Sequence, residues 1–185
     1  MRKLKLQVQM ALDGFIAGPN GEMGWLTFNW DDALKEYVTN LNETTDCIVL
    51  GRKLAQGFIP HWAAHPDLEG AHKINTTPKV VFTKTLDTCE WENTVLAKDD
   101  LVTEIKTLKR QEGKDIIAYG GASFISSLIT KGLVNEFHLF VNPVAIGSGM
   151  SIFGSLAEQQ KMTLIKTQAF DCGIVVLHYE LNAQS

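Results

Sequence analysis

The sequence predicts an α/β fold, a mostly parallel central sheet of about eight strands with flanking helices and a C-terminal antiparallel hairpin. Three observations predict it. Short apolar runs such as "CIVLG", "KVVF" and "DIIAY" recur along the chain, each short enough to be a buried strand. Segments of helical period stand between most of them, as in parallel sheets whose strands are joined by crossover helices. The last two runs, "MTLIKTQAF" and "IVVLHYEL", are separated only by "DCG". That is too short for a helix, so they pair antiparallel.

Taken in order, "LKLQVQM" alternates apolar and polar residues and reads as the first strand. "DGFIAGPNGEMGW" is rich in Gly with a Pro-Asn-Gly turn and reads as a loop. "NWDDALKEYVTNL" places Ala33, Leu34, Tyr37, Val38 and Leu41 on one helical face, with Asn29 expected as N-cap and Asp31 and Asp32 in the first turn. "DCIVLG" is a buried strand and "RKLAQGF" opens a second helix directly after it. "HWAAHPDLEGAHKINTTP" has no clear period and reads as a long loop.

"KVVFTKTL" and "NTVLA" are strands. "DDLVTEIKTLKRQEG" is an amphipathic helix with an acidic start, a basic end and a Gly stop. "DIIAY" is a strand, and "GGASFISSLI" turns into a helix ending near "KGLV". "EFHLFVNPVAIG" is a long strand with a Pro near its end, and the hairpin follows.

With 185 residues and no linker, repeat or low-complexity segment, residues 1–185 are expected to form one domain. Hydrophobic residues at 45 % and charged residues at 21 % exclude a disordered or membrane composition. The net charge of -4 offers no broad basic surface, so nucleic acid is not an expected partner. Cys47, Cys89 and Cys172 are odd in number and have neither metal nor redox spacing. Gln7, Gln9 and Asp13 interrupt the start "MRKLKLQVQMALDG", which does not read as a signal peptide. No run reaches membrane-spanning length, so no membrane is expected and the cytoplasm is the expected location.

Ligands of such sheets bind beyond the carboxyl ends of the strands. Four ends stand out. Gly51-Arg52-Lys53 opens a helix, whose free N–H groups and dipole attract phosphate, with two cations added; the same residues also suit a plain turn with solvated charges. Thr83-Lys84 pairs a hydroxyl with an ammonium, either for a second anion or as ordinary strand-end polarity. Gly120-Gly121-Ala122-Ser123 lets backbone approach a pyrophosphate, though it matches neither the G-x-G-x-x-G fingerprint nor a P-loop. After the first strand, Ala11-Leu12-Asp13-Gly14-Phe15-Ile16-Ala17 could receive a flat ring or merely turn.

In order and nearly end to end, "MALDGFIAGPNGEMGW", "CIVLGRK", "VVFTK", "IIAYGGASFI" and "NEFHLFVNPVAIGSGMSIF" resemble the dihydrofolate reductase-like superfamily. The closer likeness is to the C-terminal reductase domain of bacterial riboflavin-biosynthesis deaminase/reductase proteins. The resemblance implies an NADPH-dependent oxidoreductase with an eight-stranded sheet. It puts the nicotinamide against Gln9 or Met10 and Ile16, and the cofactor phosphates against Gly51, Arg52 and Lys53. Thr83 and Lys84 would flank the adenosine 2′-phosphate, and Gly120, Gly121, Ala122, Ser123 and Phe124 would hold the pyrophosphate. It further implies a cis Gly120–Gly121 peptide and a possible homodimer.

The substrate is less defined. Folate reductases use an acid on the first helix, and Asp31 and Asp32 fall near that position, Asp32 slightly better; acids also belong in a first turn for the helix dipole alone. No Arg lies between Gly57 and Pro78 to grip a folate tail. The sixth-strand Thr is replaced by "HLFVN", and Gly24-Trp25 stands where a Pro-Trp pair is usual. The pyrimidine-reductase branch fits better, although its Asp-Pro segment is met only by a reversed Pro-Asp in "HPDLEG", and no attached deaminase domain is expected. The reading is hydride transfer to a pyrimidine-ribosyl substrate, of the 5-amino-6-(5-phosphoribosylamino)uracil type, or to a pteridine-like one. A true dihydrofolate reductase and a catalytically silent NADPH-binding module are the alternatives. No metal is expected, because Pro60 and Pro66 break the His61-x-x-x-His65 spacing. Trp25, Trp30 and Trp62 suit either a ring wall or core packing, and His138 and His178 read as structural strand residues.

Overall fold

The computed structural model describes residues 1–182. Its elements run β1 (Leu4–Ala11), β2 (Phe15–Ala17), α1 (Asp32–Glu43), β3 (Thr45–Gly51), α2 (Arg52–Ala64), α3 (Ala71–Thr76), β4 (Lys79–Phe82), β5 (Thr94–Ala97), α4 (Leu101–Arg110), β6 (Asp115–Tyr119), α5 (Ala122–Thr130), β7 (Glu136–Asn142), β8 (Met150–Ser151), β9 (Met162–Ala169) and β10 (Val175–Leu181). Eight strands form one sheet in the order β5-β4-β3-β6-β1-β7-β10-β9. Every pair from β5 to β7 is parallel, and β10 pairs antiparallel with both β7 and β9. The expected fold class is borne out.

The alternation of "LKLQVQM" explains the layering. Leu4, Leu6, Val8 and Met10 point to one face, where Ile105 of α4 and Ile125, Leu128 and Ile129 of α5 complete a core with Ile116, Phe137 and Leu139. On the opposite face α1 and α2 cover Ile48, Leu50, Val81 and Ile117 with Leu41, Ala55 and Ile59. Lys5 and Gln7 of β1, Glu136 and His138 of β7 and His178 of β10 are cross-strand neighbours away from the first core. A polar stripe therefore runs across a face that is otherwise apolar.

Several expectations change. The N-cap of α1 is Asp31, not Asn29: its Oδ1 accepts from Leu34 N at 2.9 Å. On α1 Leu34 and Leu41 are buried and Tyr37 and Val38 half-buried, while Ala33 is exposed. Residues 61–78 are largely helical rather than a loop. The helix α2 continues through Pro60 to Ala64 because Ala55 and Ile59 are buried on the sheet and Phe58 packs edge-on against Trp62. Asn75 of α3 then donates to Trp62 O at 2.9 Å and ties the two helices together. The strand predicted over "EFHLFVNPVAIG" stops at Asn142, since Pro143 has no N–H to continue the ladder. Part of the first loop and Met150–Ser151 instead make a two-stranded sheet, β2 with β8.

Candidate active site

A cleft of about 730 Å³ opens over the carboxyl ends of the parallel strands. Its walls include Gln7, Gln9, Ile16, Gly51, Arg52, Lys53, Phe82, Tyr119 and Gly120 to Phe124. Ten of the thirteen residues expected to hold a cofactor are thus brought together: Gln9, Ile16, Gly51, Arg52, Lys53, Gly120, Gly121, Ala122, Ser123 and Phe124. The other three lie outside the lining. Met10 is buried in the core. Thr83 is buried, and its hydroxyl accepts from Thr85 N at 3.1 Å and Leu86 N at 3.0 Å. Lys84 directs its ammonium at the carbonyls of Lys98 and Asp99.

Two helices begin at this cleft, and both begin on glycine. Gly51 is the N-cap of α2 and Gly121 the N-cap of α5, and neither supplies a side-chain hydrogen bond to the first turn. The first N–H groups of each helix are left to another partner. Gly51 is required by space, since a Cβ there would lie 2.7 Å from Cβ of Phe124. Gly121 is required by backbone, with φ at +81°. The Gly120–Gly121 peptide is trans, which corrects the expectation of a cis bond; the left-handed Gly121 makes the turn into α5 instead.

The expected acids do not line the cleft. Asp31 accepts from Leu34 N and, at 3.0 Å, from Cys172 N, and those two backbone donors hold its carboxyl below the ordinary range. Asp32 is fully exposed, 3.7 Å from Lys35. Glu69 is the one carboxylate among the described lining residues, and it lies 3.8 Å from the same Lys35.

Sequence reasoning missed most of the outer wall and floor. Phe58 and Ile74 were not singled out, and Ile74 enters the lining on α3, inside the segment expected to be a loop. Of the three candidate ring walls, Trp30 and Trp62 line the cleft and Trp25 does not; Trp30 Nε1 donates to Thr27 O at 2.7 Å. Tyr119 stacks on Phe58 at 5.3 Å, and its hydroxyl donates to Oδ1 of Asn42 at 3.0 Å. Burial pushes the Tyr119 pKa upward, so the group stays a neutral donor. Gln7 carries the one signal that was available, because it alternates with Gln9 on a single face of β1.

Residues 2–176 match the RibD C-terminal domain. The chain belongs to that family. Among its relatives, the uncharacterized protein YyaP of Bacillus subtilis (strain 168) is 32 % identical over 186 residues, covering 98 % of this chain and 96 % of that one. The putative riboflavin biosynthesis protein from Shewanella sp. PV-4 superposes with a TM-score of 0.75 at 21 % identity, over 99 % of this chain and 100 % of that one. A diaminohydroxyphosphoribosylaminopyrimidine deaminase/5-amino-6-(5-phosphoribosylamino)uracil reductase from Thermotoga maritima superposes with a TM-score of 0.72 at 16 % identity. That match spans 98 % of this chain but 57 % of the Thermotoga chain. At such identities the two solved structures establish a shared fold, and the RibD C-terminal family assignment rests on the match over residues 2–176. No helix among the described residues is long and apolar enough to cross a membrane.

Proposed function

We propose that this chain is an NADPH-dependent reductase that transfers hydride to a pyrimidine-ribosyl or pteridine-like substrate. One observation carries the reading: two helix N-termini without side-chain caps, at Gly51 and Gly121, open on one largely apolar cleft. Such ends bind anionic phosphate through backbone N–H groups and the helix dipole. The residues present fit a dinucleotide phosphate. Gly51 leaves no room for a side chain beside Phe124, and Arg52 and Lys53 add cations at the same helix end.

In this reading the backbone N–H groups at the start of α2, beside Gly51, and the segment Gly120 to Ser123 hold the pyrophosphate. Ile16 and Gln9 wall the nicotinamide, and NADPH, when bound, supplies the hydride. Arg52 and Lys53 take the 2′-phosphate role expected of Thr83 and Lys84, whose polar groups are already engaged within the protein. Asn42, Gln7 and Tyr119 give the floor of the cleft both donors and acceptors, as a heteroaromatic ring requires. Trp30, Phe58 and Trp62 exclude water around it. The Thermotoga maritima relative, a deaminase/5-amino-6-(5-phosphoribosylamino)uracil reductase, agrees in kind with this reading. A folate substrate is less favoured, because neither Asp31 nor Asp32 lines the cleft.

The test has two steps. NADPH and NADH are titrated against the fluorescence of Trp30 and Trp62, and NADPH oxidation is then followed with the ribosylaminopyrimidine phosphate and with dihydrofolate. Tight binding of NADPH over NADH and turnover of the pyrimidine are expected. Absence of NADPH binding rejects the reading, and binding without any turnover reduces it to a nucleotide-binding module.

A further inference from the structure

The polar stripe beneath α1 contains a second constellation, apart from the cleft. Glu136 and His138 stand at i and i+2 on β7, so both side chains leave the same face of the sheet. His178 of β10 lies directly opposite His138 in the antiparallel register. The two imidazoles stack with centroids 4.2 Å apart. Both Nε2 atoms lie 3.5 Å from the same oxygen, Oε2 of Glu136, and the three ligand atoms all lie within 4.8 Å of one another.

Neither Nε2 atom has a hydrogen-bond partner, although both are buried. His138 is only 5 % exposed. An orphaned buried nitrogen is costly, and here two of them converge on one carboxylate. The opposite nitrogen of His138 is not orphaned: its Nδ1 lies 2.7 Å from the Tyr37 hydroxyl. With Nδ1–H donating to Tyr37, the Nε2 lone pair faces Glu136. Metal-bound histidines are oriented in this way by an outer partner on the other ring nitrogen.

We infer that Glu136, His138 and His178 form a binding site for a first-row transition-metal dication of the zinc class. In tetrahedral coordination with bonds of about 2.0–2.1 Å, neighbouring donors stand about 3.3–3.4 Å apart. The two observed nitrogen–oxygen separations of 3.5 Å are close to that edge. The donor set of two imidazoles and one carboxylate favours Zn²⁺, Co²⁺ or Ni²⁺ over Mg²⁺ or Ca²⁺, which prefer all-oxygen shells. The fourth position falls to water or a small anion on the side of His178, whose side chain is 17 % exposed.

Net charge does not drive binding. Lys3 and Lys5 pair with Glu136, Glu180 and Asp115, and Lys166 reaches over the Tyr37 ring, so three positive groups face three negative ones. Lys5 Nζ is 3.7 Å from the proposed ligand oxygen, and Lys3 Nζ is 2.6 Å from the other carboxylate oxygen. Selectivity therefore rests on the two nitrogen donors. The bound ion would clamp β7 to β10, and no reaction is assigned to it.

The probes are Zn²⁺ in calorimetry and Co²⁺ in visible absorption, applied to full-length protein stripped with a chelator. His61 near the end of α2 and its C-cap His65 have ring centroids 4.5 Å apart and offer a competing surface site, so both are changed to alanine in every sample. One Zn²⁺ per chain at micromolar affinity or tighter is expected, with an intense tetrahedral Co²⁺ spectrum. His178→Gln should weaken Zn²⁺ by more than about 100-fold, and Tyr37→Phe, which frees Nδ1 of His138, by about 10-fold. His178→Gln is chosen because His178 makes no other side-chain hydrogen bond among those described, and thermal unfolding in chelator checks that it folds. No stoichiometric Zn²⁺ binding, or binding that His178→Gln leaves unchanged in a folded protein, overturns the site.

Discussion

Tyr119, the last residue of β6, donates its hydroxyl to Asn42 of α1 across the floor of the cleft, at 3.0 Å. The two residues are separated by 77 positions in the chain. Their bond joins the helix layer to the sheet at the point where a ligand ring would rest. Asn42 is itself buried.

Tyr119→Phe removes only the hydroxyl and keeps the stacking on Phe58. It leaves the buried Oδ1 of Asn42 without its donor, so a loss of about 1–2 kcal/mol in unfolding free energy is expected. Urea denaturation at neutral pH measures it. A loss below about 0.3 kcal/mol would mean that water replaces the hydroxyl at no cost.

The strand ends were the most legible part of the site. Gly51-Arg52-Lys53 and Gly120 to Phe124 were found because anion sites depend on backbone N–H groups, and the residues that free those groups are local in sequence. The floor was not legible, because Asn42 and Tyr119 meet only through tertiary packing. The sheet order was partly legible: helix-joined runs read as parallel, and "DCG" fixed the hairpin. The metal-ligand cluster was hidden for a similar reason. His138 and His178 looked like separate strand residues until the register of β7 against β10 brought them face to face.

Two glycines at the cleft separate folding from binding. At Gly51 an added Cβ meets Phe124 at 2.7 Å, a contact with the root of the side chain rather than its flexible end. Gly51→Ala should destabilise by about 1–3 kcal/mol, as overpacking does. At Gly120 the nearest atom is Leu54 Cδ2 at 3.6 Å, an ordinary contact. Gly120→Ala should therefore leave stability within about 0.5 kcal/mol while weakening nucleotide binding by crowding the backbone. Thermal unfolding and NADPH titration of both variants check the pair, and equal stability losses would contradict the packing at Gly51.

A pH-dependent prediction comes from Lys109. Its side chain is buried, with Nζ donating to Leu133 O at 2.5 Å and to Asn135 Oδ1 at 2.7 Å. Burial pulls its pKa from 10.5 down to about 8. The folded value lies below the unfolded one, so between them the unfolded chain binds more protons. The contribution of Lys109 to stability therefore rises as pH climbs from about 8 to about 10.5. Relative to Lys109→Met, wild type should gain on the order of 2 kcal/mol between about pH 7 and about pH 10. Urea denaturation of both proteins at the two pH values gives that gap, and a gap that stays constant would be inconsistent with the shift.

Pro60 lies inside α2, and its ring removes the hydrogen bond that residue 60 would otherwise donate to Gln56 O. Sequence reasoning took it as a helix breaker, and the helix persists because Ile59 is buried and Phe58 and Trp62 pack together on either side of it. The position itself is exposed. Pro60→Ala should restore the donor without disturbing the core, and it replaces the poorest helix former with the best. Some of that gain is offset, because the unfolded chain recovers backbone freedom that proline had restricted. A net stabilisation of about 1 kcal/mol is expected, read as an upward shift in the thermal midpoint. A fall in the midpoint would mean that α2 is bent at Pro60 in a way the Phe58–Trp62 wall of the cleft requires, and NADPH affinity should then fall with it.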